Sequence, residues 1–395
     1  AATHTRPQPG DNTGKQSAGR NVILGAWSEE LIASSPESYA DIAAFKKTPS
    51  GAFGSCRFKL KSLEENRREY ERLIVVFKAH DIGYFFYNGG GDSADTCFKV
   101  SQLSETMGFP VQAIHIPKTV DNDLPITDNC PGFGSVAKYI AVSALEASFD
   151  VKSMAKTSTK VFILEVMGRH AGWIAAAGGL IEDYGIPVLL LFPEVDFDHD
   201  KFVKAVQARV DAHGYCTVVV SEGARNADGS FLAEQGTRVA FGHAQLGGVA
   251  PVVADMIKQA LGYKFHWAVA DYLQRAARHI ASASDLEQAY ALGRAGVEMA
   301  LAGKNAIMPT IERVSNNPYQ WQVGSAALAD VANVEKTMPL DFISEDGFGI
   351  TQKCRDYLYP LIQGEAYPDY DDRGMPRYVV LKNQLADKKL DNFDL

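Results

Sequence analysis

Five short polar segments carry residue types that could do chemistry, and each directly follows an apolar run or opens a helical pattern. Asn88-Gly89-Gly90-Gly91-Asp92-Ser93 is the first. Three glycines let a backbone approach a phosphate, and a helix starting there would offer free N–H groups and its positive dipole end. Ser93 reads as the N-cap of that helix. The second is Pro117-Lys118-Thr119-Val120-Asp121-Asn122-Asp123. Two carboxylates two residues apart can divide the labour of phosphoryl transfer, one accepting a proton while the other holds Mg²⁺. In the third, Met167-Gly168-Arg169-His170, Arg169 suits two-pronged recognition of phosphate or hydroxyl groups. His170 could be a general base or a structural histidine beside a helix start. The fourth, Ser221-Glu222-Gly223, places a carboxylate where sugar hydroxyls could be bound. The fifth, Tyr272 to His279, holds Arg275 and Arg278 in an otherwise acidic chain. Plainer readings stand beside these: a tight glycine turn, a solvated acidic turn, and a helix face with solvated arginines.

The elements that must position these segments follow from periodicity. Glu64 to His80 has helical spacing, and helical patterns recur at 93–107, 133–148, 171–183, 201–213, 249–261 and 282–303. Between them lie short apolar runs near 82–87, 111–116, 160–166, 187–192 and 215–220, rich in Val, Ile, Leu and Phe. Runs without polar alternation fit strands covered on both faces, so the order βαβα predicts an α/β class with two doubly wound, mostly parallel sheets. Ligands in such folds sit at the carboxyl ends of strands, which is where the polar segments fall.

Composition excludes several other functions. The chain has 395 residues with 46% hydrophobic and 22% charged residues, enough for two or three packed domains. A net charge of −9 argues against sequence-independent nucleic-acid binding. No stretch approaches the roughly 18 apolar residues of a membrane span. Five scattered cysteines, with no CxxC pair, fit reduced thiols in a cytoplasmic protein. Residues 1–20 contain only alanines as apolar residues and are expected to be a disordered leader.

The series GGGDS, PKTVDND, MGR, SEG and YLQR, in this order, resembles the phosphofructokinase family, and its Lys118 and Asp92 resemble the diphosphate-dependent members. The resemblance spans about Gly19 to the C-terminus. It implies a catalytic base at Asp121, removing the proton from the 1-hydroxyl of fructose 6-phosphate, with Lys118 and Asp92 assisting. It implies sugar-phosphate contacts at Thr119, Met167, Gly168, Arg169, Glu222, Tyr272 and Arg275. For diphosphate it implies Arg57, Gly90, Gly91, Asp92, Ser93 and Lys118, with Mg²⁺ at Asp92 and Asp123. Lys118 and Asp92 would fill the volume that ATP needs at its α-phosphate. A homodimer or homotetramer is implied, with the active site between two domains. The expected division gives 21–150 with about 250–303 to the donor domain, and 151–249 with about 304–395 to the fructose-6-phosphate domain.

Two departures from the family pattern bear on these expectations. Gly91 stands where the family usually has a metal-binding Asp. The opening strand and glycine loop of the family have no counterpart before Ala18-Gly19-Arg20, so truncation or loss of a strand is expected. An ATP-dependent enzyme and a non-catalytic sugar-phosphate-binding subunit are the alternatives. Three motif look-alikes are set aside. Gly10 to Lys15 is one residue short of a P-loop, Gly132-Phe-Gly134 follows no strand, and Asp196 to Asp200 suits a helix N-terminus better than a calcium loop.

Overall fold

The computed structural model describes residues 2–5, 16–19, 26–34, 36–55, 61–62, 64–238, 244–246 and 248–393. Its strands, in chain order, are β1 (Ala2–Thr5), β2 (Gln16–Gly19), β3 (Leu31–Ala33), β4 (Ile82–Gly89), β5 (Gln112–Pro117), β6 (Val161–Val166) and β7 (Val188–Leu191). They continue with β8 (Cys216–Ser221), β9 (Glu234–Arg238), β10 (Ala244–Leu246), β11 (Phe265–Val269), β12 (Ile307–Asn316) and β13 (Tyr319–Ala327). Two sheets organise the α/β fold: a seven-stranded sheet, β13-β12-β5-β4-β1-β2-β3, and a four-stranded one, β11-β6-β8-β7.

All pairings in the second sheet are parallel, in keeping with its largely apolar strands. Helices cover it, and one core spans β6, β7, β8 and the helix Phe133–Met154. The first sheet is parallel only at its centre, β4-β5-β12, and antiparallel toward both edges.

Two expectations are corrected here. The polar leader contributes β1 and β2 to the first sheet. Its composition was misleading because β1 adds to the open edge of β4 through backbone hydrogen bonds, which need no apolar side chains. The boundaries near 250 and 304 also move. β11 pairs with β6 in the second sheet, while β12 pairs with β5 in the first, so 265–269 and 307–327 change sides. The segment Tyr367 to Gly374 is largely exposed. Tyr367 and Tyr370 are open to solvent, but the chain then returns along the first sheet. Lys47 pairs with Asp369 at 2.8 Å, and the buried Glu29 carboxylate accepts the amides of Lys389 and Leu390 at 2.9 and 3.0 Å.

Candidate active site

The glycine segment begins at the end of β4 and leads into the helix Gly91–Thr106. Its N-cap is Gly90 rather than the expected Ser93, whose amide instead donates to the Gly90 carbonyl at 3.0 Å. The Ser93 hydroxyl folds back over Gly89, where an added Cβ would collide with it at 2.0 Å. At Gly91 a Cβ would meet nothing within 4 Å, so the approach to the helix start is open. Asp92 lies exposed in the first helical turn.

That next loop leaves β5 at Pro117 and is fixed by its own polar groups. The Lys118 amide donates to the Gly89 carbonyl at 2.9 Å, which joins the first two polar segments directly. Thr119 is buried, and its hydroxyl accepts the Asp121 amide at 3.2 Å. Asn122 adopts a left-handed φ of 57°, which asparagine tolerates better than most residues. Its side chain donates to the Tyr357 hydroxyl at 2.8 Å and accepts the Cys130 amide at 2.9 Å. Farther along, Asp128 receives both arms of Arg313 at 2.9 Å.

Asp121 is thereby held in a partly desolvated cleft. Burial, reinforced by the charges of Asp123 and Glu222, pushes its carboxyl up to about 6, against the opposing pull of Lys118 and Arg275. Burial also raises Asp123, with Glu335 adding to the effect and a Thr119 hydrogen bond and Lys336 opposing it. Lys118 is exposed at the mouth, yet partial desolvation and Arg275 lower its pKa.

From the second sheet, β6 ends in Met167-Gly168-Arg169. Gly168 has φ 132°, and a Cβ there would lie 2.6 Å from the Ala171 carbonyl, so glycine is required. The Ser221 hydroxyl donates to the Gly168 carbonyl at 2.5 Å, tying this turn to the end of β8. Glu222 follows, raised by burial and relieved chiefly by Arg169. Met167 receives support from Gln274, whose oxygen accepts the Met167 amide at 3.4 Å. Tyr272 and Arg275 extend from the helix Asp271–Ala276 into solvent, with the guanidinium 4.8 Å above the tyrosine ring.

The structure therefore gathers Lys118, Thr119, Asp121, Asp123, Arg169, Glu222 and Arg275 into one electrostatic neighbourhood, with Gly90 adjoining through Thr119. Asp92 and Tyr272 face solvent at its margins, and Arg57 lies outside the described residues, as do the look-alike residues 10–15. Sequence reasoning missed Glu194, Glu335 and Lys336. A cleft is lined by Asp121, Asp123, Arg169, His170, Glu335 and Lys336, with His170 3.1 Å from Glu335. Glu194 stands just past the end of β7, so the strand-end rule could have found it; residues 335–338 carry no local signal.

A divalent cation fits this donor set. Asp123 Oδ1 is buried without a hydrogen-bond partner. Among the described residues no group of three acidic, His or Cys side chains could hold a metal alone. That combination suits Mg²⁺, which binds through one or two carboxylates and completes its shell with water and substrate phosphates.

Comparison with known proteins agrees with the geometry. The phosphofructokinase family profile matches residues 20–300. The chain is 68% identical over 388 residues to the pyrophosphate–fructose 6-phosphate 1-phosphotransferase of Methylococcus capsulatus, covering 98% of this chain and 92% of that one. It is 64% identical to the protein of the same name from Halomonas elongata, again over 98% and 92%. A crystal structure of the pyrophosphate-dependent phosphofructokinase from Nitrosospira multiformis superposes with a TM-score of 0.88 at 66% identity, covering 96% of this chain and 90% of that chain. The chain belongs to the phosphofructokinase family.

Proposed function

We infer that the protein transfers a phosphoryl group from diphosphate to the 1-hydroxyl of fructose 6-phosphate, giving fructose 1,6-bisphosphate and phosphate in a reversible, Mg²⁺-dependent reaction. The observation that carries the chemistry is Asp121, a carboxylate held near pH 6 between the loops of two sheets and facing Lys118 and Arg275. The donor assignment is supported by relatives that match nearly the whole chain and carry that activity in their names.

Phosphoryl transfer asks a protein for position and charge rather than covalent help. Asp121 accepts the hydroxyl proton, and its raised pKa makes it a better base while leaving it ionised above about pH 6. Arg169, Glu222 and Arg275 orient the sugar phosphate. Lys118 and the start of the helix at Gly91, where a Cβ would meet nothing within 4 Å, face the diphosphate. Asp123, with Asp92 as a further contributor, would hold Mg²⁺, which when bound screens the negative charge of the transferred group. Diphosphate and the 1-phosphate ester of the product differ little in phosphoryl-transfer potential, so the group can return from the sugar to phosphate.

A donor panel tests the reading: diphosphate against ATP, each with fructose 6-phosphate and Mg²⁺. Turnover with diphosphate and not ATP is expected, and replacing Lys118 and Asp92 together by glycine should abolish diphosphate use. Preference for ATP would favour the ATP-dependent alternative. Sugar-phosphate binding without turnover from any donor would favour a non-catalytic subunit.

A further inference from the structure

Two loops from different sheets must keep a fixed separation for Asp121 to meet an acceptor held by Arg169, yet neither loop bonds the other directly through the residues already described. A third segment, Glu335-Lys336-Thr337-Met338, touches both. Toward the first sheet, the Lys336 amide donates to the Asp123 carbonyl at 2.7 Å, and its ammonium donates to the Thr127 and Asp128 carbonyls at 3.0 Å each. Toward the second sheet, the Lys336 carbonyl accepts from the Trp173 indole at 3.5 Å, and the Lys336 ammonium lies 5.3 Å above that ring. Glu194 completes the connection. Its Oε1 accepts the Gly172 amide at 2.9 Å and the Met338 amide at 3.1 Å, so one oxygen joins the Arg169 turn to the crossing segment. The fit is close, because a Cβ at Gly172 would meet Glu194 Oε2 at 2.7 Å.

We propose that Glu194 and Lys336 are positioning residues, acting through residues 335–338 as a strap that fixes the distance between the Asp121–Asp123 loop and the Arg169–Gly172 turn. A half-buried carboxylate and a half-buried ammonium are costly to place unless they are hydrogen-bonded. Here those bonds run across the cleft rather than within either sheet. A strap of this kind acts on the transition state more than on either ground state, since misplacement by about 1 Å can cost roughly 10²-fold in rate.

The proposal rests on the phosphotransfer reading for the identity of the two loops, but its first test does not. Amide hydrogen exchange is followed in wild type, Glu194→Ala and Lys336→Met. The hydrogen bonds of the Glu194 carboxylate go to Gly172 and Met338 and not to the 118–128 loop, so exchange at Asp121 and Asp128 should accelerate about tenfold or more in Glu194→Ala if the strap transmits. Reciprocally, exchange at Gly172 should accelerate similarly in Lys336→Met. In turnover, each variant should lose about tenfold to a hundredfold in kcat with little change in KM for fructose 6-phosphate, and the double variant should lose no more than the worse single one. Glu194→Gln, which keeps an oxygen for both amides, should recover most of the loss. Exchange that changes only at amides each side chain touches itself, or fully multiplicative kcat losses, would overturn the strap. Coupled exchange in a protein that turns over no donor would instead leave the strap standing and remove the activity reading. If Glu194→Ala does not fold, Lys336→Met and Glu194→Gln decide the question by the same measurements.

Discussion

The loop after β5 and the helix Asp271–Ala276 both face the cleft, and they are built in opposite ways. The first is pinned at almost every turn: Asn122 between Tyr357 and Cys130, Asp128 by Arg313, and Asn129 by Gln288 at 2.7 Å. The second presents Tyr272, Leu273 and Arg275 to solvent, and Gln274 supplies its bond to the Met167 amide. A proton acceptor must be in place before the substrate arrives, because reorganisation during the reaction raises the barrier. A cationic contact for a phosphate can settle as the ligand binds. The two regions therefore show which parts of the site are preorganised and which adapt.

That contrast predicts distinct losses. Asp121→Ala removes the base and should lower kcat by about 10²- to 10⁴-fold while the protein stays folded. Turnover in either direction, paired with thermal melting, checks this, and a loss under tenfold would assign the proton elsewhere. Arg275→Met should raise KM for fructose 6-phosphate by roughly tenfold to a hundredfold, the worth of one charge-assisted hydrogen bond. Because Arg275 is exposed, stability should change by less than about 0.5 kcal/mol. Asn122→Ala should show the opposite signature. It leaves the Cys130 amide without its partner and removes the bond the Tyr357 hydroxyl accepts, although that hydroxyl still donates to the Asp128 carbonyl. The cost should be about 1–3 kcal/mol of stability, with kcat falling and KM little altered. Equal effects on KM from Asn122 and Arg275 substitutions would erase the distinction.

The smallest effect concerns pH. The Asp121 carboxyl sits near 6 in the folded chain against an ordinary 3.8, so the folded state binds its proton more tightly. Stability therefore falls as pH rises from about 4 to about 6 and stays lowered above that. Activity moves the other way, since the base must be ionised, and kcat/KM should decline as pH drops below about 6. Asp121→Asn should accordingly stabilise the metal-free protein at pH 7.5 by on the order of 1–3 kcal/mol, and not at pH 4. Melting curves at the two pH values, which would contradict the assignment if the gain were the same at both, provide the check.

Much of this arrangement is legible in the sequence because it is local. Strand, polar turn and helix follow one another at β4, β5, β6 and β8, and the residues at those turns converge on one cleft. The look-alike at Gly132-Phe-Gly134 also reads correctly from its neighbours. A Cβ at Gly134 would lie 2.5 Å from the Leu361 carbonyl, the close packing that excludes a ligand there. Asp198 caps its helix by accepting the Lys201 amide at 3.0 Å. What escaped was non-local. Strand β12 joins the first sheet nearly two hundred positions after β5, and nothing in its alternation names its partner. Glu194 and residues 335–338 matter through bonds to segments far away in sequence. The polar β1 and β2 escaped because a hydrophobicity pattern is blind to strands recruited by a free edge.

The returning tail has a consequence for biosynthesis. Glu29 is buried, and its carboxylate is satisfied by His80 at 2.6 Å and by the amides of Lys389 and Leu390. Leu31 gives its carbonyl to Ala386 at 2.7 Å, and Ala33 donates to Gln384 at 2.8 Å. The residues around position 30 are made early, yet the Lys389 and Leu390 amides emerge about 360 positions later. At about 5–20 residues per second the nascent chain waits tens of seconds for those two amides, with His80 the earlier partner. The second sheet, whose strands all lie between 161 and 269, can close long before. Synthesis thus lays down every strand of the second sheet before the segment that closes over Glu29.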